Sequence, residues 1–426
     1  MTAPAIDVKE LQLDVVRTRH FKLPITLSIV DVLLGLLFLL SPVTGDSVFR
    51  LSDSGSAIAL ADVHVPSAPT VWISWALLVV LTAWTWLDAV AYRRTRLWLP
   101  IVFAVLAMFA FLTWAAQDGG VVPVAGTLAG ALSLSVPLVY GALAGVIGER
   151  GGVVNIAIEG QLLLGAFSAV LLASMTGSPY VGLIGAVIGG VLVAFVLAAF
   201  AIRYLVDQII VGVVLNVLVS GLTGFLYGAL LAPAQQTLNS APTFPKWKIP
   251  LLGDIPVIGP VFFHQPFIVY LMYVVVAVVA WGMYRTRWGL RLRAVGEHPK
   301  AADTVGIKVN PTRFWNVLLA GGIAGIGGAY FTLVSVPHFT KDMTAGLGFI
   351  ALAAVIFGGW DPIRATLAAL LFGFATNLQN LLTVLKTPIP SEFMLMLPYI
   401  VTILAVAGFA GQIKAPAADG KPYIKG

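Results

Sequence analysis

The chain has 426 residues, of which 59% are hydrophobic and 10% charged. A soluble domain carries about a quarter charged residues, so this composition places the chain among polytopic membrane proteins. The net charge of +6 is spread over loops and termini rather than gathered into a nucleic-acid stripe. Cysteine is absent, which removes disulfides, thiolate metal sites and cysteine nucleophiles, and the five histidines lack metal-ligand spacing.

Residues 1–22 are polar and turn basic at Arg17, Arg19, His20 and Lys22, which reads as a cytoplasmic tail rather than a cleavable signal peptide. Apolar runs follow near 23–41, 71–91, 97–116, 122–148, 153–175, 180–202, 209–231, 266–284, 314–334, 347–359, 365–385 and 393–410. They predict an all-α chain of about twelve transmembrane helices, with 347–359 short for a span. Loop charge alternates as cytoplasmic retention of Lys and Arg requires. The gap 42–70 holds Asp46, Asp53 and Asp62 against Arg50 and reads as outside; Arg93, Arg94 and Arg96 read as inside. Arg150, Arg203, Arg364 and the tail lysines (Lys414, Lys421, Lys425) fall inside, while 232–265 and His338 to Asp342 fall outside. Both termini are then cytoplasmic, in a bacterial cytoplasmic membrane.

Two spans are interrupted by small residues. Gly148-Glu149-Arg150-Gly151-Gly152-Val153-Val154-Asn155 breaks the fifth, and Met343 to Ile350 opens the tenth. Broken backbone at membrane depth is tolerated only inside protein or beside a cavity. The two breaks lie five spans apart, so their helices run oppositely, as in a weak inverted repeat relating spans 4–7 to 9–12.

The longest polar stretch, 285–313, carries Arg285, Arg287, Arg291, Arg293, Lys300, Lys308 and Arg313. Its arginines alone are explained by positive-inside anchoring. Within it, Pro299 suits a first helical turn, Lys300-Ala301-Ala302-Asp303 favours helix and Gly306 supplies a stop, predicting a short helix over 297–305. Gly296, Glu297 and His298 precede it. Such a helix at the membrane face is a docking surface for a soluble partner.

Glu159 is the sharpest polar residue in an apolar setting. An ionised carboxylate at mid-membrane costs about 2.5–3.5 kcal/mol, so Glu159 should be interfacial, paired or facing water. Asn155 lies four residues before it and would share its face if the helix has begun by then. Glu159 then either lines a solute path with Asn155 and Gln161, or caps a broken helix. Asn216 and Asn377 are explained by interhelical hydrogen bonds, with a cavity-facing role open; Phe349 completes the path candidates. No Walker A loop, paired carboxylates or nucleophile motif is present, so no enzyme activity and no bound cofactor is expected.

Several motifs in order carry a resemblance: GVVNIAIEGQLLLGAF at 152–167, DIPVIGPVFFH at 254–264, RTRWGLRLRAVGEHPKAADTVGIK at 285–308, MTAGLGFIALAAVIFGGWDPI at 343–363, LPYIVTILAV at 397–406 and APAADGKPYI at 415–424. The chain resembles permease subunits of ATP-binding-cassette importers, in the branched-chain amino acid and ribose branch, nearest the nucleoside and simple-sugar type. The resemblance implies a ten-helix core within 97–410, two extra helices within 1–96 and a tail at 411–426. It places the coupling loop at 285–313, with 296–303 and Gly306 contacting a cytoplasmic ATPase that carries ATP and Mg. It further implies a second, similar permease subunit and an extracytoplasmic solute-binding protein or lipoprotein docking on 232–265. Asp207-Gln208 departs from the Asn-Glu often found at that turn. The alternatives are an ion-coupled secondary transporter, which should carry more intramembrane carboxylates, and a permease for another small solute such as a branched-chain amino acid.

Overall fold

The computed structural model describes residues 21–425 apart from 53–57, 94, 97, 386, 388–389, 391, 395, 397–398, 401–402 and 404–413. The span expected at 393–410 therefore lies largely outside the described residues. Among those described, ten helices are long and apolar enough to cross a membrane.

The chain divides into two compact units. The first holds α1 (Lys22–Leu40), most of β1 (Asp46–Arg50) and β2 (Val63–Pro66), α2 (Ser67–Val90) and α3 (Trp98–Ala115). Its boundary falls at Gly120, so the helix at 98–115 packs with the two before it. Leu27, Leu78 and Phe103 form its core. Asp31 is buried on α1, where it accepts a hydrogen bond from the Thr82 hydroxyl of α2. A buried carboxylate in this setting is tolerated because a facing helix supplies its donor.

The second unit runs through β3 (Val121–Pro123), α4 (Val124–Arg150), α5 (Ile158–Thr176), α6 (Pro179–Ala198), α7 (Gln208–Leu226), α8 (Gln235–Leu238), β4 (Lys246–Lys248), β5 (His264–Pro266) and α9 (Phe267–Arg285). It continues with α10 (Arg287–Glu297), α11 (Pro299–Thr304), α12 (Val309–Tyr330), α13 (Leu347–Phe357) and α14 (Pro362–Val384). Lipid offers no hydrophobic drive to pair apolar helices, so small residues that admit close backbone contact decide the packing. A Cβ on Gly190 would lie 2.1 Å from the Gly321 carbonyl oxygen, and one on Gly325 2.1 Å from that of Ala186. That contact locks α6 to α12. We expect Gly325→Leu to abolish the folded protein, read as loss of the monodisperse species after detergent extraction.

Loop 232–265, with β4 antiparallel to β5, meets the segment after α12. Asn239 donates to the Phe339 carbonyl (3.1 Å) and accepts from Phe339 N–H (2.7 Å), and Ala241 N–H donates to Pro337 (3.0 Å). The two segments therefore lie at the same end of the second unit.

Candidate functional site

The two breaks meet. Residues 153–157 are not helical, and α5 begins at Ile158. The helix has not begun at Asn155, so Asn155 does not share a helical face with Glu159. Its amide instead exchanges two hydrogen bonds with Gln161 (3.1 and 3.0 Å), and both residues are 0% exposed. Asn216 of α7 accepts from Gly160 N–H (2.9 Å) and donates to the Ile156 carbonyl (2.8 Å). Gln208 accepts from Val154 N–H (2.8 Å), while Asp207 caps α7 through Ile209 and Ile210 N–H. Gln208 thus ties the non-helical stretch to the start of α7.

Helix α13 begins after Gly346, whose φ of +82° ends the preceding turn and which brings no side-chain cap. The cap comes from Glu159. One carboxylate oxygen accepts from the Thr344 hydroxyl (2.6 Å) and Gly346 N–H (2.9 Å), the other from Gly348 N–H (2.6 Å). Orphan N–H groups and the positive helix end both favour an anion there. The approach requires glycine: a Cβ on Gly348 would lie 2.4 Å from Glu159 N.

The helices leave this junction in opposite directions. Near the end of α5, Ser174 accepts from Ser240 N–H (3.0 Å) in the 232–265 loop. The far end of α13 reaches Glu149 and Arg150 at the end of α4. There Trp360 donates its indole N–H to Glu149, and Arg150 donates to the Trp360 (2.9 Å) and Gly359 (3.3 Å) carbonyls. With 11 residues, α13 spans about 16 Å, roughly half the hydrocarbon core. The expected span at 347–359 is thus too short to cross on its own, and Glu159 sits at its start. Of the remaining path candidates, Phe349 is 49% exposed, and Asn377 donates to the Thr127 carbonyl (2.7 Å) between α14 and α4.

The short helix expected in the polar loop is present as α11, with Pro299 at its start and Gly306 (φ +86°) beyond its end. Sequence reasoning missed α10, which buries Leu292, Val295 and Gly296 beneath a face of arginines. Gly296 and Glu297 therefore end α10, with Gly296 buried and Glu297 exposed. A Cβ on Gly296 would lie 2.0 Å from the Arg150 carbonyl oxygen. Glu297 lies 3.8 Å from the Arg150 guanidinium and accepts from Ala417 N–H (3.2 Å). Ala302 is buried and Asp303 half-buried, while His298, Lys300, Ala301 and Gly306 face out. Val305 is 76% exposed.

Also missed were Glu149, Arg150 and Trp360, which join α10 to the end of α13. The left-handed φ values of Gly359 (+64°) and Trp360 (+56°) mark the tight turn they clamp. The Gly-Gly-Trp-Asp-Pro string was the available signal.

Residues 127–406 match the family described as branched-chain amino acid transport system, permease component. The chain is 44% identical over 305 residues to the guanosine ABC transporter permease protein NupQ of Bacillus subtilis, covering 69% of this chain and 95% of that one. It is 41% identical over 308 residues to the nucleoside ABC transporter permease protein NupC of Lactococcus lactis, covering 70% and 96%. A putative glucose ABC transporter permease protein of Haloferax volcanii, TsgC13, is 34% identical over 259 residues, covering 60% and 77%. No solved structure matches the chain.

Proposed function

The chain belongs to the permease-component family of branched-chain amino acid transport systems, and from that premise we propose that it conducts a nucleoside across the membrane as one permease subunit of an ATP-binding-cassette importer. The observation that carries the substrate is the identity to guanosine and nucleoside permeases along nearly their whole length. A simple sugar is the second reading, favoured by the glucose permease relative. Uptake of radiolabelled nucleosides and sugars, in cells lacking and then regaining this chain, separates them. Guanosine or another nucleoside should accumulate only in the complemented cells; accumulation of glucose alone overturns the nucleoside assignment.

In this reading ATP and Mg bind a separate cytoplasmic ATPase, which contacts the outward residues of α11 and the exposed Val305. Its motion reaches the spans through Glu297 and Gly296 to Arg150, then through the Trp360 turn to α13. Helix α13 is held at its other end by Glu159, so a shift at the inner end tilts the junction of the broken helices. The ATPase drives this only by binding two permease conformations with different affinity. A second, similar permease subunit completes the path, and the exposed apolar face of α7 (Ile210, Val214, Val217) is where we place it. A solute-binding protein docks on 232–265. The bacterial cytoplasmic membrane holds the complex with both termini inside. The cysteine-free chain allows a direct test of sidedness: Thr243→Cys should react with an impermeant thiol reagent in intact cells, and Lys300→Cys only after the membrane is opened. Labelling of both from outside overturns the orientation.

A further inference from the structure

Residues 414–425 turn back onto the inner end of the second unit. Ala418 N–H donates to the Gly296 carbonyl (2.9 Å), and Ala417 N–H to Glu297 (3.2 Å), at the end of α10. Tyr423 is buried with Val295 of α10, Ala302 of α11 and Val309 of α12. Gly420 lies over Val154, at the start of the broken stretch.

The receiving side is built for this segment. Arg313, near the start of α12, is 2% exposed. Its guanidinium donates to the Lys421 (2.7 Å) and Ala418 (3.4 Å) carbonyls, both in the tail, and its Nε has no partner among the described residues. Gly152 makes room for that guanidinium, since a Cβ there would lie 2.6 Å from Nη2. Asp419 adds a carboxylate beside it, and burial pushes that carboxyl up from its ordinary range while Arg313 opposes the rise. A buried arginine whose acceptors all come from one segment is left unsatisfied when that segment lifts.

We propose that residues 414–425 form a strap that binds α10 and α11 to the inner ends of α4 and α12, so that force applied at α11 moves the broken helices instead of bending the loop. The strap thereby makes Tyr423, Arg313 and Gly420 positioning residues for transport. This rests on the reading of α11 as the ATPase contact. Without the strap, α11 is a single turn and a half flanked by Gly306 and the His298 break. A lever that short transmits displacement only if something holds its buried face, and Tyr423 covers that face.

The test uses the full complex with its ATPase and second permease, comparing Tyr423→Ala, Tyr423→Phe and a chain ended after residue 413. For Tyr423→Ala and the shortened chain we expect uptake and substrate-stimulated ATP hydrolysis, per assembled complex, to fall about tenfold. Tyr423→Phe keeps the packing and should retain most of both. A synthetic peptide of residues 414–426 added to the shortened complex should restore stimulated hydrolysis. Parental rates per assembled complex in Tyr423→Ala overturn the strap, whether or not the shortened chain assembles. A loss confined to the amount of complex overturns it as well, leaving the tail a folding element. A parental complex without ATP-dependent uptake instead fails the importer reading on which the strap rests.

Discussion

Replacing Glu159 by Gln should lower both the thermal midpoint of the purified protein and its uptake per assembled complex. The carboxylate accepts three hydrogen bonds, from Thr344, Gly346 and Gly348, using both oxygens. An amide has one oxygen, so its NH2 must face at least one backbone N–H. Hydrogen bonds to a charged group contribute about 1.5–3 kcal/mol each, and a buried donor left unpaired costs about 1–3 kcal/mol. We therefore expect a destabilisation of about 2–4 kcal/mol, localised to the start of α13. Glu159→Asp keeps the charge but is one methylene short and should fall between parent and Gln. Thr344→Val removes one donor from the other side and should cost less, with an effect that shrinks in the Glu159→Gln background because the partner has gone. Thermal unfolding in detergent and uptake by reconstituted complex are the two readouts. If Glu159→Gln matches the parent in both, the carboxylate does not hold the junction.

The spans were legible because length and hydropathy are local properties: α4 was expected at 122–148 and lies at Val124–Arg150. The short helix at 299–304 was equally local, set by Pro299 and Gly306. The helix before it was hidden by its arginines, although Trp288, Leu292 and Val295 recur at helical spacing and α10 is amphipathic on that face. The role of Glu159 was left between path and cap, and only tertiary geometry brings residue 159 to residues 344–348. The same holds for Arg313. As a sequence feature it is one more positive-inside charge, and its burial depends on a tail more than a hundred residues away. Whether Asn155 shares a face with Glu159 turned on where α5 begins: Gly152 adopts φ +84° and the chain stays non-helical until Ile158, so helical spacing does not apply.

Gly296→Ala should stop transport while leaving membrane insertion intact. The added Cβ would lie 2.0 Å from the Arg150 carbonyl oxygen and 3.4 Å from Gly152 N. The obstacle is backbone rather than the end of a flexible side chain, so the end of α10 must withdraw by about 1 Å to restore ordinary contact. Overpacking of this kind costs about 1–3 kcal/mol. The withdrawal separates Glu297 from Arg150 and breaks the bond from Ala418 N–H to the Gly296 carbonyl. The clash falls on the last residue of α4 and leaves the apolar length of every span unchanged, so insertion and association of the second permease should be normal. Two comparisons isolate the cause. Gly306→Ala meets nothing within 4 Å and bears only the left-handed strain, about 1–2 kcal/mol. Glu297→Gln removes an ion pair that is long at 3.8 Å and 46% exposed on the Glu297 side, worth about 0–1 kcal/mol. Uptake per assembled complex, with ATPase retention measured on the same preparation, should therefore fall most for Gly296→Ala and least for Glu297→Gln. The reverse order, with Glu297→Gln inactive and Gly296→Ala at the parental rate, would mean that Glu297 acts directly on the ATPase and that the contact of α10 with Arg150 transmits nothing.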